Sequence, residues 1–136
     1  MKLGASTIPH KDEPLSAAVL GPYADAGIES LELSDYHPNF DFGDGALQSL
    51  IAAHLQATGT HLNSIHIHLR SREASCDLST LDAEGRERTL SMHREAMQMA
   101  ADLGGCILVT HDITIPEPGS DGSDARRRAF VDSLGL

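Results

Sequence analysis

A repeating alternation of strand-like and helix-like segments limits the possible folds of this sequence more than any other feature. Four short apolar runs typical of β-strands recur along the chain, with helix-like stretches between them. A glycine suited to a left-handed helix cap stands before each of the later three runs. Such alternation predicts parallel strands joined by right-handed helical crossovers. The runs are 2–7, 28–34, 62–69 and 106–111, and the glycines are Gly27, Gly59 and the pair Gly104-Gly105.

Four helices are predicted between and after these runs. Proline suits a first helical turn but disrupts a helix interior, so Gly21-Pro22 predicts a kink or a break in the first helix. The second helix, 45–58, has the clearest amphipathic pattern. In the third, Met97 is expected in the core. The helices are expected to begin near Pro14, near Gly45, after Ser79 or Asp82, and around Asp124.

Two architectures of parallel strands compete, an open doubly wound sheet and a (β/α)8 TIM barrel. No glycine-rich phosphate loop follows the first run, where Ser6 to His10 stand instead, and this absence favours the barrel. A complete barrel takes about 250 residues. The 136 residues are therefore expected to form a single domain that is the N-terminal half of a barrel, with about four βα units. Such a half is expected to need its missing half or a partner, and to be inactive alone.

Composition excludes several classes of function. The net charge is −10, from 20 acidic and 10 basic residues, which disfavours binding to nucleic acid. The one basic run, 126–128, is expected to be a solvated helix face. No apolar run reaches the roughly 20 residues of a membrane span, and no secretory signal begins the chain, so a cytoplasmic protein without membrane contact is expected. Cys76 and Cys106 lack the spacing of a disulfide framework.

Histidines near the ends of the third and fourth runs are the candidate metal ligands. Alternation along the third run places Ser64, His66 and His68 on one face, opposite an apolar face. His111 ends the fourth run, where a barrel gathers its functional residues. His66 and His111 are therefore predicted to bind a divalent metal, although interior histidines can instead be hydrogen-bonded. His68 is assigned to substrate binding.

Glu32 is the candidate carboxylate. It stands between Leu31 and Leu33 in the second run and should face the barrel interior, where it could bind a substrate hydroxyl or form a structural ion pair. The following loop, 35–40, is expected either to line a substrate pocket or to be a turn. His10 has no partner that its spacing suggests. The remaining histidines away from the expected site, His54, His61 and His93, are expected to be structural or exposed to solvent.

Four segments together carry a resemblance to a known family. They are KLGAST (2–7), AGIESLEL (26–33), NSIHIH (63–68) and LGGCILVTH (103–111). The sequence resembles the sugar phosphate isomerase/epimerase family of xylose isomerase-like barrels, which also include the endonuclease IV type of apurinic endonucleases. The resemblance implies that His66 and His111 match metal-associated histidines that end strands three and four in the endonuclease-like branch. It also implies that most metal ligands and the catalytic carboxylates lie on strands five to eight, beyond this sequence.

Three functional hypotheses follow. The first is isomerisation or epimerisation of a sugar or polyol with a divalent metal (Mn, Mg, Co or Zn), in which Glu32 and His68 bind substrate, His66 and His111 bind the metal, and the catalytic residues lie on the missing half. The second is a zinc phosphodiesterase of the endonuclease IV type, which the acidity of the chain disfavours. The third is a non-catalytic half-barrel that assembles with itself, as a homo-oligomer, or with a partner.

Overall fold

The computed structural model describes residues 3–69, 76–105, 107–111, 113–114, 117–120 and 122–135. The chain divides into two compact units. The first comprises Met1–Ile67 and Glu95–Thr110, and the second comprises His68–Arg94 and His111–Leu136. Lys2, Cys106 and Asp112, which the sequence assigned to strands or strand ends, lie outside the described residues.

The first unit contains the sheet. Its four described strands are all parallel and lie in the order β1-β2-β3-β4. The predicted parallel alternation of strands and helices is therefore confirmed. Each strand falls within or close to its predicted run: β1 is Gly4–Ser6, β2 is Ser30–Ser34, β3 is His61–Ile67 and β4 is Ile107–Thr110.

The described helices are α1 (Ala17–Asp25), α2 (Gly45–Thr58), α3 (Ala83–Asp102) and α4 (Ser123–Ser133). The bounds of α2 agree with the prediction. The start of α3 does too, because the Asp82 carboxylate accepts hydrogen bonds from the first backbone N–H groups of the helix, those of Glu84 (3.2 Å) and Gly85 (3.1 Å).

Of the kink or break predicted at Gly21-Pro22, the break is wrong, because α1 continues through Pro22 to Asp25, and the kink stays a prediction. Pro22 has no N–H for the carbonyl of Ala18, but Ala18 is exposed and water can replace that bond. The Pro22 carbonyl still accepts from Ala26 N–H at 3.0 Å, which closes the last turn.

The core of the first unit lies between the sheet and its helices. Leu31 and Leu33 on β2 and Ile65 on β3 are fully buried, as is Ile51 on α2. Met99 fills the core from α3, whereas Met97 is 52% exposed. The prediction for Met97 is therefore wrong, because the helix presents its other face to the sheet. The glycines predicted to cap helices, Gly27, Gly59, Gly104 and Gly105, all have positive φ angles.

A buried carboxylate organises the second unit. Asp77 accepts hydrogen bonds from both the N–H and the hydroxyl of Ser79 (2.8 and 2.6 Å) and from Thr114 N–H (3.2 Å). Its other oxygen pairs with the Arg126 guanidinium, whose Nε donates to the Thr114 carbonyl at 2.8 Å. Burial alone would raise the pKa of Asp77, but the Ser79 bonds and the Arg126 charge outweigh it and lower the pKa.

The predicted solvated face of the basic run is thus correct only in part. Arg127 and Arg128 are exposed, but Arg126 is held in this network. Cys76 is buried in the same unit, with its Sγ 3.8 Å from the Met92 Sδ. None of the helices in the described parts of the chain is long and apolar enough to cross a membrane.

Candidate functional site

Three polar side chains meet on the face of the sheet that is opposite the helices. Glu32 lies between the fully buried Leu31 and Leu33, so alternation along β2 points its carboxylate away from the core, as predicted. Ser64 of β3 lies beside Glu32 in the register of the sheet. His66 is two residues further along the same strand and shares the face of Ser64. We call Glu32, Ser64 and His66 the inner cluster.

The Glu32 carboxylate is the centre of the inner cluster. Ser64 Oγ donates a hydrogen bond to Glu32 Oε2 at 3.0 Å. The other carboxylate oxygen, Oε1, lies 3.7 Å from His66 Nδ1. The side chains of Glu32 and His66 are 29% and 19% exposed, so both are reachable from solvent while being largely fixed in place.

A register shift in the sheet creates the Glu32–Ser64 contact. Leu31 pairs with Leu62, but Glu32 pairs with Ser64, so Asn63 is an extra residue on β3. Such a bulge re-aims the side chains that follow it. Alternation alone predicted that Ser64 and His66 share a face, but the sequence gives no signal for the shift that sets Ser64 against Glu32.

An open depression of about 290 Å³ runs along this face of the sheet up to Glu32. Its polar lining includes Ser6, Ser30 and Asn63. Ser30 begins β2, so part of the depression lies toward the strand starts, whereas barrels place their chemistry at the carboxyl ends of strands. Only the portion near Glu32 therefore belongs to a candidate site.

The loop after β2 supports the sheet rather than lining this depression. His37 is buried, with Nδ1 2.8 Å from the Glu13 carbonyl oxygen and Nε2 3.0 Å from the Thr7 hydroxyl. Thr7 Oγ1 also accepts from Ser34 N–H at 3.0 Å, which ties the ends of β1 and β2 together. Asn39 Oδ1 accepts a hydrogen bond from the Leu15 backbone N–H at 2.7 Å. Residues 35–39 form turns and bends, as one of the two alternatives for this loop predicted, and a role in a substrate pocket stays a prediction.

His68 and His111 both belong to the second unit, where their ring centroids are 6.5 Å apart. His66 belongs to the first unit, so the predicted metal pair of His66 and His111 stays a prediction. Within the described residues, no group of three or more His, Cys, Asp or Glu side chains could hold a metal ion.

The remaining histidines named in the sequence analysis have no described contact with the inner cluster. His61 is exposed at the start of β3, and His93 donates from Nδ1 to the Thr89 carbonyl at 2.8 Å. His10 Nδ1 lies 2.9 Å from Glu13 Oε1. The described contacts therefore give His93 and His10 local partners.

The structure resembles several solved structures, among them an epimerase, an epimerase-like protein and a xylose isomerase domain protein. A D-tagatose 3-epimerase-like protein shares 16% identity over 99% of this chain and 46% of its own, with a TM-score of 0.77. A D-allulose 3-epimerase from Methylomonas sp. shares 19% identity over 98% of this chain and 45% of its own (TM-score 0.67). A xylose isomerase domain protein from Planctomyces limnophilus shares 17% identity over 99% of this chain and 49% of its own (TM-score 0.66).

These likenesses establish the fold. No protein-family model matches the sequence, and no curated protein matches it either. The chain spans about half the length of the solved structures that it resembles. Its four parallel strands with their helices therefore have the fold of half a TIM barrel, as in the matching parts of these structures.

Proposed function

We propose that this chain is the substrate-positioning half of a divalent-metal-dependent isomerase or epimerase acting on a sugar or related polyol. The observation that carries the proposal is the inner cluster, a carboxylate fixed by a serine hydroxyl beside an imidazole. The likeness of the fold to the D-tagatose and D-allulose 3-epimerase structures supports a sugar as the substrate class.

Glu32 is suited to bind a sugar hydroxyl. An ionised carboxylate offers about four acceptor sites. The Ser64 hydroxyl occupies one of these and holds the carboxylate in orientation, so Glu32 can accept from a substrate O–H group as well. A hydrogen bond to a charged acceptor is worth about 1.5–3 kcal/mol. In this proposal His68 makes a second contact with the substrate.

His66 is the metal ligand of this proposal, with His111 as its second histidine. An imidazole beside a carboxylate suits a metal ligand, because the carboxylate orients the ring. Ions of the Mn, Mg, Co or Zn type accept such nitrogen and oxygen ligands and, when bound, would stabilise negative charge on substrate oxygens. The described residues supply only part of a ligand set, so in this proposal the remaining ligands come from residues outside the described part of the chain or from other strands of a completed barrel.

A hybrid barrel tests the role of Glu32. The chain would be joined in frame to the portion of the Methylomonas D-allulose 3-epimerase that it does not match, and ketose epimerisation would be assayed with Mn²⁺ and with EDTA. We expect metal-dependent turnover, with Glu32→Gln lowering kcat/KM by about 10- to 100-fold. Glu29→Gln, an exposed glutamate just before β2, is the matched control and should change nothing. Equal rates for both variants in a folded hybrid would refute the role of Glu32.

Metal binding gives a readout that does not depend on turnover. In the same hybrid, Mn²⁺ affinity would be measured by calorimetry. His66→Ala is expected to weaken it at least about tenfold, and His61→Ala, an exposed histidine on the same strand, should leave it unchanged. Unaltered Mn²⁺ affinity in the His66 variant would remove His66 from the ligand set.

A further inference from the structure

The hydrogen bonds of Asp77 join three separate segments of the second unit, namely 77–79, the residues after β4, and α4. Its Oδ1 accepts from the N–H groups of Ser79 and Thr114, and its Oδ2 pairs with Arg126 of α4. The Asp77 side chain is only 12% exposed. Because desolvation of both ions offsets much of their attraction, such a pair is better suited to fixing one arrangement of its segments than to adding net stability.

The backbone of Thr114 is held by these bonds on both sides. Its N–H lies 3.2 Å from Asp77 Oδ1 and 3.1 Å from Ser79 Oγ. Its carbonyl oxygen accepts from Arg126 Nε at 2.8 Å. Thr114 is itself exposed, so its position depends on these main-chain contacts more than on burial.

His111 lies close in sequence to this fixed point. Ile113 N–H donates to the His111 carbonyl at 2.8 Å, which ties His111 to the residue next to Thr114. His111 is exposed, so burial contributes little to fixing its position. The anchored Thr114 backbone can therefore set where the His111 ring lies.

The neighbour of that ring is His68. The two ring centroids are 6.5 Å apart, with their planes inclined by 40°, and both residues belong to the second unit. Leu69, directly after His68, is fully buried, which holds the backbone on that side. Since a hydrogen bond spans about 3 Å, a single small ligand can reach both imidazoles.

We propose that Asp77 is a positioning residue, which holds His111 beside His68 through the anchored backbone of Thr114. Burial raises the pKa of Asp77, but the Ser79 hydrogen bonds and the Arg126 charge lower it below the ordinary value, so the anchor stays ionised at neutral pH. The consequence for catalysis rests on the proposed function, in which His68 contacts the substrate and His111 binds the metal. The position of His111 itself can be measured without metal or sugar.

Nuclear Overhauser effects between the ring protons of His68 and His111 test this position. The 136-residue chain would be labelled with ¹³C-histidine, and the two ring signals would be assigned from His68→Gln and His111→Gln. We expect a cross-peak between the rings in the parent and its loss in Asp77→Asn, because the neutral side chain no longer holds Arg126 and Thr114 together. Ser79→Ala keeps the ion pair but removes the hydroxyl beside Thr114, and it should weaken the same cross-peak.

Ser133→Ala is the matched control. Ser133 Oγ lies 2.9 Å from the Leu78 carbonyl oxygen, so this variant loosens the same segment without removing a contact of Thr114. It should lower the melting temperature and leave the cross-peak unchanged, and a purely structural Asp77 would behave in the same way. Circular dichroism verifies folding, and Ser79→Ala decides the question if Asp77→Asn does not fold. A cross-peak that is absent from the parent, or that keeps its intensity in the folded variants, would overturn the proposal.

The hybrid barrel separates this inference from the proposed function. There, Asp77→Asn should weaken Mn²⁺ affinity about tenfold, whereas Ser133→Ala should not. Loss of the cross-peak together with weaker Mn²⁺ binding would support both proposals. Loss of the cross-peak with unaltered Mn²⁺ affinity would still support the positioning role of Asp77, but it would count against His111 as a metal ligand.

Discussion

At the scale of single residues, the Thr7–His37 bridge determines how the ends of β1 and β2 are joined. A carbonyl oxygen can only accept, so His37 Nδ1 donates to Glu13, and in the neutral ring Nε2 accepts from the Thr7 hydroxyl. Thr7 is fully buried and also accepts from Ser34 N–H. The Thr7 hydroxyl, directly after β1, thus satisfies two buried groups, one at the end of β2 and one in the loop that follows it.

Thr7→Val is therefore expected to destabilise the protein. Valine keeps the shape of threonine but leaves Ser34 N–H and His37 Nε2 without this partner, at a cost of about 1–3 kcal/mol for each group. The free energy of unfolding would be measured by urea denaturation. Thr114→Val, at an exposed threonine, is the control and should stay within about 0.5 kcal/mol of the parent. Equal effects of the two substitutions would contradict the bridging role.

Sequence reasoning at this scale succeeded for Glu32 and failed for His37. The direction of the Glu32 carboxylate depends on alternation along one strand, which is a local property visible in the sequence. The partners of His37 lie 24 and 30 residues away, and no local period encodes such contacts. The Ser64–Glu32 hydrogen bond could not be predicted for the same reason. Its two residues are 32 positions apart in the sequence and come together only because of the register shift.

At the scale of elements, the two ends of α2 place different demands on glycine. Gly59 caps the C-terminal end with φ 69°, a conformation that costs other residues about 1–2 kcal/mol. Gly45 begins the helix, and a methyl group added there would contact nothing within 4 Å.

Alanine substitutions at these ends should therefore act in opposite directions. Gly59→Ala is expected to lower the free energy of unfolding by about 1–2 kcal/mol, although the space around it is open, because the cost lies in the backbone. Gly45→Ala should be neutral or raise it by up to about 1 kcal/mol through a better helix propensity. Thermal and urea unfolding of the two variants would measure both signs. Stabilisation by Gly59→Ala would show that the left-handed cap is dispensable.

The Asp77 network predicts how the second unit responds to acid. The folded pKa of Asp77 lies below its unfolded value, so its contribution to stability is fully present above the ordinary aspartate pKa of about 4. That contribution is lost as the pH falls through the lowered folded value. The free energy of unfolding should therefore decline more steeply below about pH 4 in the parent than in Asp77→Asn.

At neutral pH, Asp77→Asn itself should lower the free energy of unfolding by about 1–3 kcal/mol, because the partly buried Arg126 guanidinium loses its charge partner. Glu84→Gln is the matched control, since the Glu84–Arg88 pair is exposed and should contribute less than about 1 kcal/mol. If the free energy of unfolding declined equally with falling pH in the parent and in Asp77→Asn, Asp77 would have no part in the pH response.

Element positions were largely predictable, and their tertiary partners were not. Glycine caps and apolar runs placed all four described strands and both ends of α2. Pro22 did not break α1, because water can bind the exposed Ala18 carbonyl that Pro22 leaves without an N–H partner. Met97 is exposed, because tertiary packing decides which helix face is buried. Arg126 looked like part of a solvated run, but its partner Asp77 is 49 residues away.

At the scale of the whole molecule, the four parallel strands are half of what an eight-stranded barrel requires. The half that this chain supplies carries the inner cluster, in which a carboxylate and an imidazole are held close together. Among the described residues, however, no group of three metal-binding side chains occurs. Within the described residues, the polar groups of the inner cluster are therefore separate from any complete metal-binding group.

This separation predicts that the 136-residue chain alone shows no metal-dependent turnover of ketoses. Proton transfer in such a reaction needs an acid/base pair and a fixed metal, and the inner cluster offers one carboxylate and one imidazole. A panel of ketoses would be incubated with Mn²⁺, Mg²⁺, Co²⁺ or Zn²⁺, and the products separated by chromatography.

The hybrid barrel is the positive control for that assay, because it adds the strands that the D-allulose 3-epimerase has beyond this match. We expect product from the hybrid and none from the chain alone, whether it is a monomer or a dimer. Epimerised product from the isolated chain that disappears with EDTA would contradict the prediction. It would mean that half of a barrel, or two identical halves, can assemble a working metal centre from Glu32, His66 and residues outside the inner cluster.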